Sequence, residues 1–352
     1  MAQINKPNTH FNPVLYTGTG ATNSVTSLDF QPDLIWSKSR TDVGGYGHFW
    51  QDSIRGVNKR LMSNSTAGEN TLTNTLDSFD SNGFTMGADS TTEMNKSGSS
   101  YVAWNWKAGG TAVSNTDGSI TSSVSVNTDA GFSIVTWTPT DTSSPQTIGH
   151  SLGVKPNVMI VKNRSRAGTD WRVYHSSLGA TKALNLNTTS AQIDDNGFWN
   201  DVEPSSTVFT TGNGYGFTTG GATDNYVAYC FAEKKGFSKF GLYTGNGSTD
   251  GTFVYTGFKP AFVLWKRTED AGYDWDLYDT ARDTHNVAFK ELIPNGSGAE
   301  SSSTVLSLDI LSNGFKLRTS NGNGNDSGKP YIYMAFAENP LVGTNGVPAT
   351  AR

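Results

Sequence analysis

One segment of this chain occurs three times, and this internal repetition limits the folds that are available to it. The copies read VLYTGTGATNSVTSLDFQPDLIWSKSR, IVTWTPTDTSSPQTIGHSLGVKPNVMIVKNR and YTGNGSTDGTFVYTGFKPAFVLWKR, at residues 14–40, 134–164 and 243–267. In each copy a lysine follows a proline by six positions, as Lys38, Lys162 and Lys266. Three consecutive apolar residues lie between the proline and the lysine, which indicates a central strand that is covered on both faces.

Three further landmarks follow in the same order in every copy. A tryptophan leads to Asp52 and Arg55 in the first copy and to Asp279 and Arg282 in the third, while the middle copy has His175 in place of the aspartate. These tryptophans are Trp50, Trp171 and Trp275. Next come Gly-Phe pairs, at residues 83–84, 216–217 and 314–315. The last landmark is a segment with bulky residues at every second position, beginning at Tyr101, Tyr226 and Tyr331. This period of two indicates a strand with one face in a core.

The period of about 105 residues is too long for a solenoid or propeller repeat and matches a whole β-sandwich. The sequence therefore predicts an all-β protein of three tandem homologous β-sandwich domains. The predicted segments are an N-terminal arm (1–12), repeat 1 (13–110), a linker with one added strand (111–130), repeat 2 (131–236), repeat 3 (237–340) and a C-terminal tail (341–352). At most one turn of helix per repeat is predicted, near residues 51–62 and 279–290.

Composition excludes several functional classes. The net charge is −5 and charged residues make up 16%, without the basic clusters that nucleic-acid binding requires. No apolar stretch approaches the length of a membrane span, and no secretory signal is predicted at the N-terminus. The single cysteine, Cys230, excludes an intramolecular disulfide and a cysteine-based zinc site. We predict no cofactor and no metal site.

The pattern of candidate catalytic residues favours a protein that is not an enzyme. The five histidines are scattered, and none recurs at one place in all three copies, as a Ser-His-Asp site repeated with the fold would require. An acidic cluster in repeat 3 is the strongest alternative, because paired carboxylates can hydrolyse glycosides. Its members are Glu269, Asp270, Asp274, Asp276 and Asp279. An exposed acidic loop is the simpler interpretation, and whether the loop binds calcium stays open.

The repeated polar landmarks are interpreted as structural. We expect the Asp52–Arg55 and Asp279–Arg282 pairs to brace a turn by charge-assisted hydrogen bonds. Lys38, Lys162 and Lys266 end a buried strand, so they are expected to extend toward solvent or to pair with a carboxylate in their own repeat.

Three aromatic residues are candidates for exposed platforms that bind sugar rings. Trp199 lies in an insertion of repeat 2, and Trp265 has no aromatic counterpart at the equivalent positions of the other copies. Tyr273 is the third candidate. The alternative for all three is ordinary packing or a subunit interface.

The strings YTGNGS, FVYTGFKPAFVLWKR, DLYDTARD, LSNGFKLR and YIYMAFAENP resemble an uncharacterised repeat domain of virion proteins from marine and freshwater tailed phages of the cyanophage type. The resemblance covers most of residues 13–340. It implies a β-sandwich of concanavalin-like or jelly-roll type on the outside of a particle that is assembled in the host cytoplasm. It carries over no catalytic residue.

The sequence and the resemblance together predict a non-enzymatic virion structural protein, a tail-fibre or appendage component that contacts host-surface glycans. A capsid decoration or cement protein, or a head fibre, is the alternative, and a glycan-hydrolysing tailspike is the third hypothesis. Expected partners are other virion proteins and copies of the chain itself, as a homo-oligomer for which a trimer is typical, together with a host glycan.

Overall fold

The computed structural model describes residues 3–42, 45–89, 91, 93–141, 144–212, 223–339, 341–342 and 348–349. Within them the regular secondary structure is almost entirely antiparallel β-strand, which confirms the all-β prediction. The described helical segments are a 3-10 turn at Pro7–Thr9 and the single-turn helix α1 at Asn196–Trp199. Asp195 caps α1, because its side chain accepts a hydrogen bond from the Gly197 N–H.

The strands of repeat 1 are β1 (Phe11–Thr17), β2 (Asn23–Val25), β3 (Leu34–Ser39), β4 (Phe49–Asp52), β5 (Lys59–Met62), β6 (Asn70–Thr71), β7 (Leu76–Asp80), β8 (Gly83–Met86) and β9 (Ser100–Trp106). Those of repeat 2, with the segment before it, are β10 (Val113–Asn115), β11 (Ser122–Asn127), β12 (Phe132–Trp137), β13 (Gln146–Gly149), β14 (Val158–Asn163), β15 (Arg172–His175), β16 (Lys182–Asn185), β17 (Ile193–Asp194), β18 (Val208–Thr211) and β19 (Tyr226–Phe231). Repeat 3 contains β20 (Ser238–Thr244), β21 (Phe253–Tyr255), β22 (Pro260–Arg267), β23 (Trp275–Asp279), β24 (Leu308–Leu311), β25 (Gly314–Leu317) and β26 (Pro330–Ala337), and β27 (Leu341–Val342) and β28 (Pro348–Ala349) follow it.

Each repeat forms one large sheet and one small sheet. The large sheets have the strand orders β1-β9-β3-β4-β5-β6, β10-β11-β12-β19-β14-β15-β16-β17 and β20-β26-β22-β23. The small sheets are β2-β8-β7, β13-β18 and β21-β25-β24. The strands with three consecutive apolar residues, β3, β14 and β22, lie inside the large sheets and are buried along their whole length, as the sequence predicts.

The large sheets of all three repeats share one apolar core. Alternate residues of the closing strands face it, and they are Val102, Trp104 and Trp106, Val227, Tyr229 and Phe231, and Ile332, Met334 and Phe336. The opposite face of each large sheet packs with its own small sheet into one of three separate cores. At the shared core Trp106, Phe231 and Phe336 form a triangle whose ring centroids are 5.5, 5.8 and 6.1 Å apart. The bulky alternate residues therefore join the copies to one another.

The contacts between repeats follow a cyclic order. The Glu69 N–H donates to the Arg164 carbonyl, so repeat 1 binds repeat 2. The Gln192 N–H of repeat 2 donates to the Thr268 carbonyl of repeat 3. An ion pair between Arg164 and Glu69 at 2.8 Å reinforces the junction of repeats 1 and 2. A second ion pair, between Arg40 and Glu300 at 2.8 Å, joins repeat 1 to repeat 3. The Glu300 N–H completes the cycle by donating to the Arg40 carbonyl of repeat 1.

The helix prediction is wrong, the predicted linker contains its added strand and one more, and one landmark lies outside the described residues. Segments 51–62 and 279–290 contain strand ends and turns without helix. The predicted linker 111–130 contributes both β10 and β11 to the large sheet of repeat 2, where β11 pairs with β12. Serine and valine alternate in β11, and this period of two is typical of a strand with one buried face. The Gly-Phe pair at 216–217 is the landmark that is not described.

Candidate functional site

The three landmark lysines are fully buried and bind backbone carbonyls. Lys38 donates to the Ser39 carbonyl at 3.0 Å and to the Ser297 carbonyl of repeat 3 at 3.4 Å. Lys162 donates to the Thr169 carbonyl and, at 3.2 Å, to the Thr66 carbonyl of repeat 1. No described carboxylate lies within ion-pair distance of them, so the prediction that they pair with an acid or extend toward solvent is wrong.

Lys266 completes the set by donating to the Tyr273 carbonyl at 2.7 Å. Burial lowers the pKa of all three lysines to about 8. Carbonyl oxygens stabilise the charged form only in part, because they carry a partial charge where a carboxylate carries a full one. These lysines are therefore structural groups, and two of them, Lys38 and Lys162, bind across a junction.

The two Asp–Arg pairs brace turns, and each also binds a neighbouring repeat. Arg55 donates to Asp52 at 2.5 Å and Arg282 donates to Asp279 at 2.6 Å, with all four side chains buried. Each carboxylate accepts a bond from the next copy. Tyr229 of repeat 2 donates to Asp52 at 2.7 Å, and Trp104 of repeat 1 donates to Asp279 at 2.9 Å. Burial alone would lower the pKa of Arg55, but Asp52 and the groups around it raise the pKa above its usual value.

His175 takes the same place in repeat 2. Asp52, His175 and Asp279 lie opposite the first of the three consecutive apolar residues between the proline and the lysine, which are Leu34, Val158 and Phe262, respectively. This register makes His48 the structural counterpart of Trp171 and Trp275, so the sequence alignment that placed Trp50 there is shifted by two residues. Trp171 and Trp275 each donate across a junction, to the Met62 carbonyl at 2.8 Å and the Asn185 carbonyl at 2.9 Å.

Two of the three aromatic candidates are buried, so they present no platform to a ligand. Trp199 is 1% exposed and donates to the Lys182 carbonyl at 3.1 Å. Trp265 is 0% exposed and lies stacked between Tyr278 and Phe315. Both belong to the separate cores of their repeats, which corrects the prediction in favour of ordinary packing. Tyr273 is half-buried, and the Arg267 guanidinium lies 3.9 Å from its ring centroid.

The acidic cluster of repeat 3 is dispersed. Asp270 pairs with Arg267 at 2.6 Å, and Asp274 accepts a bond from Asn295 at 2.6 Å. Asp276 is fully buried in the separate core, where burial raises its pKa well above the usual value and the adjacent Glu291 carboxyl raises it further. No group of metal-ligating side chains occurs among the described residues, which leaves the calcium hypothesis without support there.

The outward face of the small sheet of repeat 3 is the best candidate for a binding surface. Phe253 and Tyr255 project from β21 and are 44% and 63% exposed, while Val254 between them lies in the core. Tyr255 lies opposite Gly314, which has no side chain, and Phe253 lies opposite Lys316. The Phe253 ring leans over Gly314, where an added Cβ would lie 3.1 Å from it. We call these residues, together with the charged rim described next, the outer face.

Charged side chains border the two aromatic rings. Lys316 and Arg318 project from β25 and the residue after it, and both contact the exposed Asp250 carboxylate, at 2.5 and 3.2 Å. Arg318 also pairs with Asp309 at 2.6 Å. The outer face thus combines two apolar rings with polar groups that can form hydrogen bonds, which is the usual composition of a ligand surface.

Repeat 1 has the same surface without the aromatic residues. Val25 pairs with Phe84 as Val254 pairs with Phe315, which places Ser24 where repeat 3 has Phe253. The hydroxyl of Ser24 lies 2.9 Å from that of Thr85, so this face is satisfied by its own hydrogen bonds. The match between these two segments is not visible when the copies are aligned on the proline, because repeat 1 has one more residue before its proline than repeat 3 has. The alternation Phe-Val-Tyr is the signal that could have revealed an outward aromatic pair.

Comparison with known proteins gives a family without an assigned role. The family described as "Domain of unknown function (DUF7483)" matches residues 6–340 as a single unit. The chain therefore belongs to this family. No curated protein matches the chain. None of the described helices has the length and apolar character that a membrane span requires.

Proposed function

We propose that this member of the DUF7483 family is a non-enzymatic virion structural protein, a component of a tail fibre or another appendage, and that the outer face of repeat 3 binds glycans of the host surface. The observation that carries the binding role is the exposed pair Phe253 and Tyr255 on one strand of the small sheet. The virion location is supported by the resemblance of the repeated motifs to phage virion proteins.

The geometry of the outer face suits sugar rings. Phe253 and Tyr255 are two positions apart on one strand, which places their Cα atoms about 7 Å apart. Each aromatic ring offers a flat apolar surface, and Tyr255 also carries a hydroxyl. Lys316, Arg318 and Asp250 supply donors and acceptors for sugar hydroxyls beside the rings.

The state of the carboxylates supports a role without catalysis. A glycosidase needs two carboxyl groups that flank the substrate bond. Asp276 and Glu291 are close enough to act together, but Asp276 is 0% exposed and lies beneath the surface. Asp52 and Asp279 are each committed to a buried arginine.

Binding is tested by replacing the two aromatic residues with the hydroxyl residues of repeat 1. The purified chain and its Phe253→Ser/Tyr255→Thr variant are applied to host lipopolysaccharide and to a glycan array. We expect binding by the unchanged chain and at least a tenfold loss for the variant. Leu15→Ser is the matched control, since Leu15 is 42% exposed and lies away from the outer face. Equal binding by all three proteins would refute the assignment of the outer face.

The location on the particle is tested separately. Gold-labelled antibodies against the chain are imaged on intact particles, and the copy number per particle is measured. Label on the tail supports an appendage, whereas many copies on the head would favour the decoration or head-fibre alternative. Release of sugar from bound glycan would favour a tailspike.

A further inference from the structure

The three large sheets have equivalent outer strands, and among the described residues only one of these strands has neither a further strand beside it nor a proline in it. β1, β12 and β20 pair with the closing strands in the same register, through Tyr16 with Tyr101, Trp137 with Tyr226, and Tyr243 with Tyr331. The ring pairs at these positions are stacked in all three copies. Residues at equal offsets from them can therefore be compared directly.

In β20 the backbone groups of Phe240 and Leu242 point away from the sheet. The Gly245 N–H donates to Lys329, and the Phe237 carbonyl accepts from Ala337. Because bonding alternates along an antiparallel strand, the odd-numbered residues between them face β26 and the even-numbered ones face outward. No described backbone group bonds Phe240 or Leu242 on that side. Leu242 is 44% exposed, and this edge carries no proline.

Repeat 2 shows what occupies this position. Ile134 and Thr136 are the counterparts of Phe240 and Leu242, and strand β11 covers them by pairing Ser125 with Ile134 and Ser123 with Thr136. The fold of the chain thus already accommodates an additional antiparallel strand at this edge.

Repeat 1 protects the same edge in another way. Pro13 is the counterpart of Phe240, and it has no N–H to offer to an added strand. Proline on an edge strand is a common device against association with other chains. Neither device occurs in repeat 3, whose outer edge therefore retains donors and acceptors for a further strand.

We propose that β20 pairs with β20 of a second copy of this chain, antiparallel and related by a two-fold axis at Gly241. This axis places Phe240 of each copy opposite Leu242 of the other, so that both outward residues exchange backbone hydrogen bonds. It also covers the exposed Leu242 side chain with the partner strand. The large sheets of repeat 3 then form one continuous sheet across the dimer, a self-complementary arrangement typical of two-fold interfaces.

The partner is a second copy because the two-fold axis at Gly241 sets the apolar Phe240 of each strand beside the apolar Leu242 of the other, so the segment is complementary to itself. The two paired β20 strands are short, so the interface is small and its affinity is expected to be low for a specific protein–protein contact. Association is expected in the micromolar range, with a Kd of about 1–100 µM. This inference is independent of the glycan-binding proposal, since β20 belongs to the large sheet and the outer face to the small one.

The test is sedimentation equilibrium of the full chain over concentrations that span this Kd range. The unchanged chain is expected to shift from monomer to dimer. Leu242→Lys places a charge on the edge and Leu242→Pro removes an outward N–H, so both variants should remain monomeric. Leu15→Lys and Leu15→Pro are the matched controls, because Leu15 is the counterpart of Leu242 on an edge that Pro13 already blocks.

Thermal unfolding confirms that each variant is folded before it is sedimented. Loss of the dimer in the Leu242 variants, with retention in the Leu15 variants, supports the interface. A wild-type chain that stays monomeric throughout would overturn the proposal. A trimer would overturn it as well, and so would a dimer that the folded Leu242→Lys variant retains.

Discussion

His175 is a buried neutral histidine, and it should make the stability of the protein fall as the pH falls. The Ser177 N–H donates to its Nδ1 at 3.2 Å, so the ring proton lies on Nε2, which donates to the Tyr333 carbonyl of repeat 3 at 3.3 Å. Burial lowers the pKa of His175 from 6.5 to about 4, although the Tyr333 carbonyl acts in the opposite direction. A second proton, on Nδ1, would face the Ser177 donor.

The pKa values set the size of this effect. Between pH 6.5 and pH 4 the unfolded chain binds a proton at this position and the folded chain does not, so acid favours unfolding. With about 1.4 kcal/mol per pKa unit, stability falls by about 2 kcal/mol between pH 8 and pH 5 through this group alone. The full effect, about 3 kcal/mol, is reached below pH 4.

The assay is urea unfolding followed by tryptophan fluorescence at pH 8 and pH 5. His175→Asn retains a side-chain acceptor for the Ser177 N–H and does not titrate. The loss of stability between the two pH values should be about 2 kcal/mol smaller in this variant than in the unchanged chain. His285→Asn is the control, since His285 is exposed, and it should leave the loss unchanged. An equal loss in the His175 variant and the unchanged chain would refute the reasoning.

Four further changes test the buried polar groups by urea unfolding. Asp276→Asn should raise the stability at pH 8 and not at pH 4. The pKa of Asp276 is raised in the folded state, so this carboxyl group lowers the stability of the protein as the pH rises. The amide of asparagine takes the place of the protonated acid and does not titrate. A uniform change at both pH values would contradict this. Asp52→Asn should lower the stability by about 3–5 kcal/mol, since it leaves Arg55 charged and buried, and a loss below about 1 kcal/mol would show that the pair is dispensable. Tyr229→Phe removes the bond that this hydroxyl donates to the same carboxylate and the bond that it accepts from Arg55, and it should cost about 1.5–3 kcal/mol. Lys162→Met should abolish a rise of about 2 kcal/mol between pH 8 and pH 10, because burial lowers the pKa of that lysine to about 8, and persistence of the rise would exclude this origin.

The sequence was sufficient to predict the strands, but not the residues that pack against them. A period of two shows that one face of a strand is buried, but it does not show which residues cover that face. The alternation at Val102, Trp104 and Trp106 predicts a core, and it is equally compatible with a core within one repeat and with a core that several repeats share. The same limit applies to Lys38 and Lys162, whose carbonyl acceptors lie in other repeats and have no signature in the sequence.

Aromatic residues were the least predictable part of the candidate site. Trp199 and Trp265 lack counterparts in the other copies, yet a residue unique to one copy can fill a local gap in its core as readily as it can bind a ligand. Phe253 and Tyr255 have no visible counterpart in the aligned sequence, because a one-residue gap displaces them from Ser24 and its neighbours. Register in the small sheet, which only the structure shows, restores the match.

Linking three copies in one polypeptide has a consequence for how this molecule can change. In an assembly of three identical subunits, any surface substitution appears three times. Here the aromatic residues of repeat 3, the added strands of repeat 2 and the edge proline of repeat 1 each occur once, because every copy has its own codons. The buried junctions can therefore stay alike while each exterior acquires a separate task.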